Sequence, residues 1–102
     1  MPFIFVYVTN PDEKVARRIV SHLLKKRLIA CSNIFPIDSM YWWKGKIEES
    51  KEYVMIAKTR KENWEKVKRE IKKIHPYSVP CITKINVEAN KEYEKWLGRE
   101  VK

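Results

Sequence analysis

Two extended runs that flank Gly45 constrain this chain more than any other feature. Leu28 to Ile37, continued by Met40-Tyr41-Trp42-Trp43, and Ile47 to Thr59 both read as β-structure, with only Lys44-Gly45-Lys46 between them. Gly tolerates positive φ without a side-chain clash, so it permits a tight reversal there. The pair predicts one long β-hairpin with its tip near Gly45 and a bulge or bend at Pro36, which has no N–H for the ladder. Strands this long outrun a small sheet, where about five or six residues is usual. The surplus is expected to pair with another chain. Tyr41, Trp42 and Trp43 strengthen the point, because consecutive residues face both sides of a strand and one small sheet hides only part of such area. Closed association of identical subunits would cover the rings and the strand edge. The alternative is that one ring packs on the home sheet and another caps a loop.

The flanking elements complete a pattern. Phe3 to Thr9 is apolar and β-rich, as in a central strand covered on both sides. Asn10-Pro11-Asp12-Glu13 then predicts a helix start, with Asn10 as the cap, Pro11 in the first turn and acids at the positive end. Val15, Ile19 and Leu23, with Ala16, Val20 and Leu24, form one apolar face. A second helix is expected from Thr59-Arg60-Lys61-Glu62, whose spacing matches a capping box, with Trp64, Val67, Ile71 and Ile74 buried. His75-Pro76-Tyr77 ends it, because the residue before a proline avoids the helical region. A strand from Val79 to Val87 and a short helix follow, the latter capped by Asn90 and carrying Tyr93, Trp96, Leu97 and Val101 on one face. The expected class is α+β: a ferredoxin-like βαββαβ sandwich with a short C-terminal helix.

The chain has 102 residues, 44% of them hydrophobic, and only 2 Gly, which fits one domain over residues 1–102 with a single core. No apolar run approaches the roughly 20 residues of a membrane span, and Met1 to Val8 lacks the charged start of a secretory leader. A cytoplasmic protein without membrane contact is expected. Cys31 and Cys81 form no CxxC pair, so both are expected as free, buried thiols. The net charge is +9, from 22 Lys and Arg against 13 Asp and Glu. Basic residues are interleaved with acids, as in Lys44 to Glu52, so a solvated ion-paired surface is expected rather than a nucleic-acid footprint. Such a surface also suits a high source temperature.

Several segments carry a resemblance. Leu28-Ile29-Ala30-Cys31-Ser32-Asn33, Tyr41-Trp42-Trp43-Lys44-Gly45-Lys46-Ile47, Lys58-Thr59 and His75-Pro76-Tyr77-Ser78-Val79-Pro80 resemble, in order, the signatures of the CutA family of divalent-cation tolerance proteins. With Tyr93 and Trp96 the likeness covers essentially the whole chain. It implies a tight homotrimer built through the hairpin strands, an architecture similar to the PII signal-transduction proteins, and a link to tolerance of divalent metals, copper above all. There are departures. Some metal-binding members place a cysteine on the first strand where this chain has Val8, and a second histidine where it has Ile74.

The candidate ligands follow from residue chemistry. His75 can ligate copper(II) or zinc, or else simply cap carbonyls at a helix end. Cys31 is a soft ligand for copper, or a small buried hydrophobe, and Cys81 is similar. His22 reads as a solvated helix-face residue. No four-ligand Cys/His set has zinc spacing. Lys58, Thr59, Tyr77, Glu52 and Trp43 offer a cation, hydroxyls, a carboxylate and a flat ring, suited either to a small anionic or aromatic ligand between subunits or to locking the trimer. Glu48, Glu49 and Glu52 attract hard cations, a field partly cancelled by Lys44, Lys46 and Lys51.

Three function classes compete. The leading one is a metal-stress or signalling protein that binds rather than catalyses. An RNA-binding βαββαβ module ranks lower, because Ile47 to Val54 is acidic and lacks the spaced aromatics of that fold's third strand. An enzyme ranks lower still, since the chain has no Gly-rich phosphate loop, nucleophile elbow or paired-His motif.

Overall fold

The computed structural model describes residues 3–102; Met1 and Pro2, part of the leader reading, lie outside the described residues. The chain runs β1 (Phe3–Asn10), α1 (Glu13–Lys25), β2 (Cys31–Trp43), β3 (Lys46–Arg60), a 3-10 turn (Lys61–Asn63), α2 (Trp64–Ile74), β4 (Ile82–Val87) and α3 (Lys91–Glu100). The four strands form one antiparallel sheet in the order β2-β3-β1-β4, the ferredoxin-like arrangement expected. No helix among the described residues is long and apolar enough to cross a membrane.

One face of the sheet carries the core. Ile4, Val6 and Val8 of β1 and Met55 and Ala57 of β3 meet Ile19, Val20 and Leu23 of α1 and Val67 and Ile71 of α2. Each such side chain contributes about 1.5–3 kcal/mol on leaving water. Glu70 ties the two helices together across their outer edge. It accepts from His22 (2.9 Å), Lys26 (3.3 Å) and Lys73 (2.9 Å), and the His22 bond, then the Lys73 bond, hold its carboxyl down to about 2. His22 is therefore an inter-helix partner rather than a free surface residue.

The hairpin is continuous. Trp43 pairs with Lys46, so the loop is two residues, and Lys44 (φ 51°) and Gly45 (φ 79°) both take the left-handed conformation that a primed turn requires. Pro36 pairs opposite Tyr53 with no break in register, so the expected bulge does not form. β2 is an edge strand of this sheet, where a proline is tolerated. β1 stops at the Asn10–Tyr53 pair, so among the described residues Lys46 to Glu52 of β3 pair with β2 alone. This outer hairpin is an arm, and it accounts for a long dimension of 45 Å against 24 and 21 Å.

Two helix starts differ from the sequence reading, and a third lacks its capping bond. Asp12, not Asn10, caps α1: its Oδ1 accepts the Val15 N–H at 2.8 Å. Asn10 is still in β1, fully buried, and its Nδ2 donates to the Val8 and Tyr53 carbonyls. Thr59 does not cap α2, because its pairing with Ile4 keeps its backbone extended within β3. Its hydroxyl instead donates to the Leu28 carbonyl at 2.6 Å and accepts from Asn63 Nδ2 at 3.1 Å. Asn90 precedes α3 without a side-chain capping bond, its amide donating to Glu92. β4 also starts late, at Ile82, after Pro80, which has no N–H to give. Cys81 lies ahead of it and is exposed, Cys31 is half-buried, and both are free, so burial of both thiols is not realised.

Candidate functional site

Strand pairing sorts the remaining side chains. Residues opposite one another share a face, and successive residues alternate. The face away from α1 and α2 therefore carries Phe5, Tyr7 and Thr9 of β1, Glu52, Val54 and Lys58 of β3, and Cys31, Ile37, Ser39, Tyr41 and Trp43 of β2. α3 covers one end of this face. Where the arm leaves the sheet, the other end forms a cleft of about 770 Å³ lined by Tyr7, Thr9, Ile37, Ser39, Tyr41, Trp43 and Glu52, with Tyr77, Val79 and Cys81 of the loop after α2 along its rim.

Glu52 anchors the cleft. It is 6% exposed, and the Tyr77 hydroxyl donates to its Oε2 at 2.6 Å. Its Oε1 accepts no hydrogen bond among the described residues. Burial first, and the Glu52 bond second, push the Tyr77 phenol well above its ordinary value of 10, so it remains a donor.

His75 holds that tyrosine in place. The Tyr77 backbone N–H donates to His75 Nδ1 at 3.1 Å, which leaves Nε2 as the protonated nitrogen, donating to the Thr9 carbonyl at 2.8 Å. Burial is the main cause holding the imidazole below its ordinary 6.5, so the neutral ring that this pattern needs is favoured. Both ring nitrogens are engaged. A metal at His75 would have to displace one of these bonds.

Cys31 lies at the far end of the face. Its Sγ is 3.2 Å from the Tyr93 hydroxyl, and it pairs across the strands with Lys58, which pairs in turn with Phe5. Burial, and then the Cys31 bond, raise the Tyr93 phenol to about 12. Lys58 Nζ stands 5.5 Å from the ring centres of both Phe5 and Tyr93. Phe5 and Thr9 are four positions apart on β1, which puts Cys31 and His75 roughly 13 Å apart along the strand at its usual rise. Among the described residues, no group of three or more His, Cys, Asp and Glu could hold a metal ion.

The residues proposed from sequence thus divide. Tyr41, Trp43, Glu52 and Tyr77 share one cleft, and Trp42 borders it from the opposite face of the arm. Lys58 is sequestered between rings beneath α3, and Thr59 is fully buried under the helices, so neither reaches it. The sequence reading missed Tyr7, Thr9, Ile37 and Ser39. Counting back from Trp43 in steps of two would have found Ser39 and Ile37, whereas the β1 residues depend on register.

The arm carries exposed large apolar side chains on both faces. Trp42 and Ile47 are cross-strand partners, 72% and 60% exposed, while Tyr41 and Trp43 occupy the cleft face and are each 42% exposed.

Comparison with known proteins agrees with this architecture. The model of the family described as CutA1 divalent ion tolerance protein matches residues 4–100. A divalent-cation tolerance protein CutA from Pyrococcus horikoshii is 51% identical over 97% of this chain and 98% of its own length. A solved structure described as the periplasmic divalent cation tolerance protein CutA from Archaeoglobus fulgidus superimposes with a TM-score of 0.95 at 46% identity, covering 98% of this chain and 99% of that one. The PII-like protein CutA from Nostoc sp. PCC 7120, in apo form, gives 0.91 at 26% identity over 97% of each chain.

Proposed function

The chain belongs to the CutA1 divalent ion tolerance family, and from that premise we propose that it works by binding, as a homotrimer in the response to divalent metal ions, copper(II) first among them. The observation that carries the assembly is the arm. Trp42 and Ile47 on one face and Tyr41 and Trp43 on the other are too exposed for a lone subunit to be their final setting. An arm whose two faces differ meets a different surface on its neighbour, and such head-to-tail contacts close into a ring. Three copies in that ring give the architecture that the family resemblance implies.

The metal reading rests on the family. In this chain Cys31 is the freer of the two candidate ligands, since it exchanges only a weak thiol bond with Tyr93, whereas His75 would release Tyr77 or Thr9. Further ligands would come from adjacent subunits. The competing reading is a PII-like signal protein that takes a small molecule at the subunit boundary, and the cleft beneath the arm favours it.

Native mass spectrometry of the purified protein, with and without copper(II), tests both. A trimer taking up copper in a subunit-matched ratio is expected. A trimer that ignores copper moves the function to the small-molecule reading, and a monomer removes the assembly.

A further inference from the structure

We propose that the open groove between the end of α1 and the start of α2 binds a short oligophosphate chain, held by Lys25 and Lys26 on one side and Lys66 and Arg69 on the other. This goes beyond the function proposed above: every lining residue comes from one chain, and none belongs to the arm, the cleft or the copper candidates.

Charges that look interleaved along the sequence segregate in the fold. Residues 12–27 and 61–75, the two helices with their flanking turns, hold 12 Lys and Arg against 5 Asp and Glu, so 7 of the 9 excess positive charges lie on the helical layer. The helices run antiparallel, with Arg18 bonded to the Ile74 carbonyl and His22 to Glu70, which brings the last turn of α1 beside the first turns of α2. There Lys25, Lys26, Lys66, Arg69 and Glu70 line an open groove of about 540 Å³ with Leu28. Lys102 borders it, its carbonyl taken by Asn63 at 3.2 Å. Glu70 does not neutralise the set, because it already accepts from His22, Lys26 and Lys73. Among the described residues Lys25, Lys66 and Arg69 have no ion pair. Helix ends do not explain all of these cations. Lys25 and Lys26 suit the negative end of α1, but Lys66 stands in the first turn of α2, the positive end, where a cation is unfavourable. A bound anion would reverse that cost. A groove lined by one sign of charge focuses the field on a multiply charged ligand, and the Arg69 fork can grip two phosphate oxygens at once. The lining offers no aromatic ring to a base, so the phosphate chain is what it reads. Its volume is in the range of small-molecule sites.

The probes are inorganic tripolyphosphate, ATP and inorganic monophosphate, titrated by calorimetry into the whole protein in metal-free buffer of low ionic strength. Tripolyphosphate should bind at least about tenfold more tightly than monophosphate. Lys66→Glu with Arg69→Glu should weaken it at least about tenfold, whereas Lys14→Glu with Lys72→Glu, the same change in net charge at exposed positions outside the lining, should weaken it less than about threefold. If either variant does not fold, the ratio of tripolyphosphate to monophosphate affinity on the natural chain decides alone. ATP that matches tripolyphosphate makes the free phosphate chain sufficient; ATP at least about tenfold tighter, and lost in Lys66→Glu with Arg69→Glu, makes a nucleotide the source, and either result supports the groove. Equal losses in the two double variants overturn it, because the charge then acts diffusely over the helical layer. Failure of both oligophosphates also overturns it, and if a single-stranded DNA oligomer binds in their place the layer is a nucleic-acid surface instead.

Discussion

Tyr77, on the loop after α2, donates its hydroxyl to Glu52 Oε2 on β3 across 2.6 Å, joining residues 25 positions apart. The backbone N–H of the same tyrosine is held by His75, which is in turn fastened to the Thr9 carbonyl. One loop is thereby fixed to two strands, and it walls the cleft in which Glu52 sits. The HPY segment serves here as a fastening as well as a candidate ligand.

Replacing Tyr77 by Phe keeps the ring and removes the donor. A buried carboxylate oxygen is then left bare, at a cost of about 1–3 kcal/mol. The denaturant midpoint should fall with an unchanged m-value. An unchanged midpoint would mean that water in the cleft already satisfies Glu52.

The His75 fastening predicts a pH dependence whose sign follows from burial. The folded ring has its pKa below the ordinary 6.5, so the unfolded chain binds the proton more readily. The contribution is complete above pH 6.5 and is lost as pH falls through the folded value. Thermal melts from pH 8 to 5 should show a decline below pH 6.5 that His75→Gln largely removes. Parallel curves for the two proteins would assign the decline to other groups. Glu70, held down to about 2, acts in a separate and more acidic window.

Thr59→Val tests a residue that the sequence placed at a cap or pocket. The substitution keeps the shape, removes the donor to the Leu28 carbonyl and leaves Asn63 Nδ2 short of one acceptor. Stability should drop by about 1–3 kcal/mol in chemical denaturation. Oligomeric state should not change, and its loss at unchanged stability would return Thr59 to the site.

Trp42→Ala combined with Trp43→Ala removes a ring from each face of the arm. Buried aromatic anchors of an interface are worth on the order of 2 kcal/mol or more apiece. Light scattering should then report monomers or aggregates. An intact trimer would show that the arm is not what holds the subunits together.

Much of the fold was legible because it is written in local periodicity. Apolar residues at three- and four-residue spacing marked α1 and α2, and Gly45 with Lys44 before it marked a turn that needs positive φ. The run Tyr41-Trp42-Trp43, exposed in the structure, marked the arm as well. Caps were less legible. Asn10 and Asp12 are both good capping residues, and the choice fell to the strand, which continues through Asn10 and leaves Asp12 at the exit.

The sequence by itself determined the element order, the buried stripes and the presence of an aromatic arm, because each depends on residues within a few positions of one another. Only the tertiary structure decided which motif residues share a site. Lys58 and Thr59 are neighbours in the chain, yet strand alternation sends one under α3 and the other under α1 and α2. Glu52 and Tyr77 are far apart in the chain, yet a loop fastened by His75 brings them into one hydrogen bond. Register and loop closure are long-range properties, and they set the buried Glu52 carboxylate against the loop that follows α2.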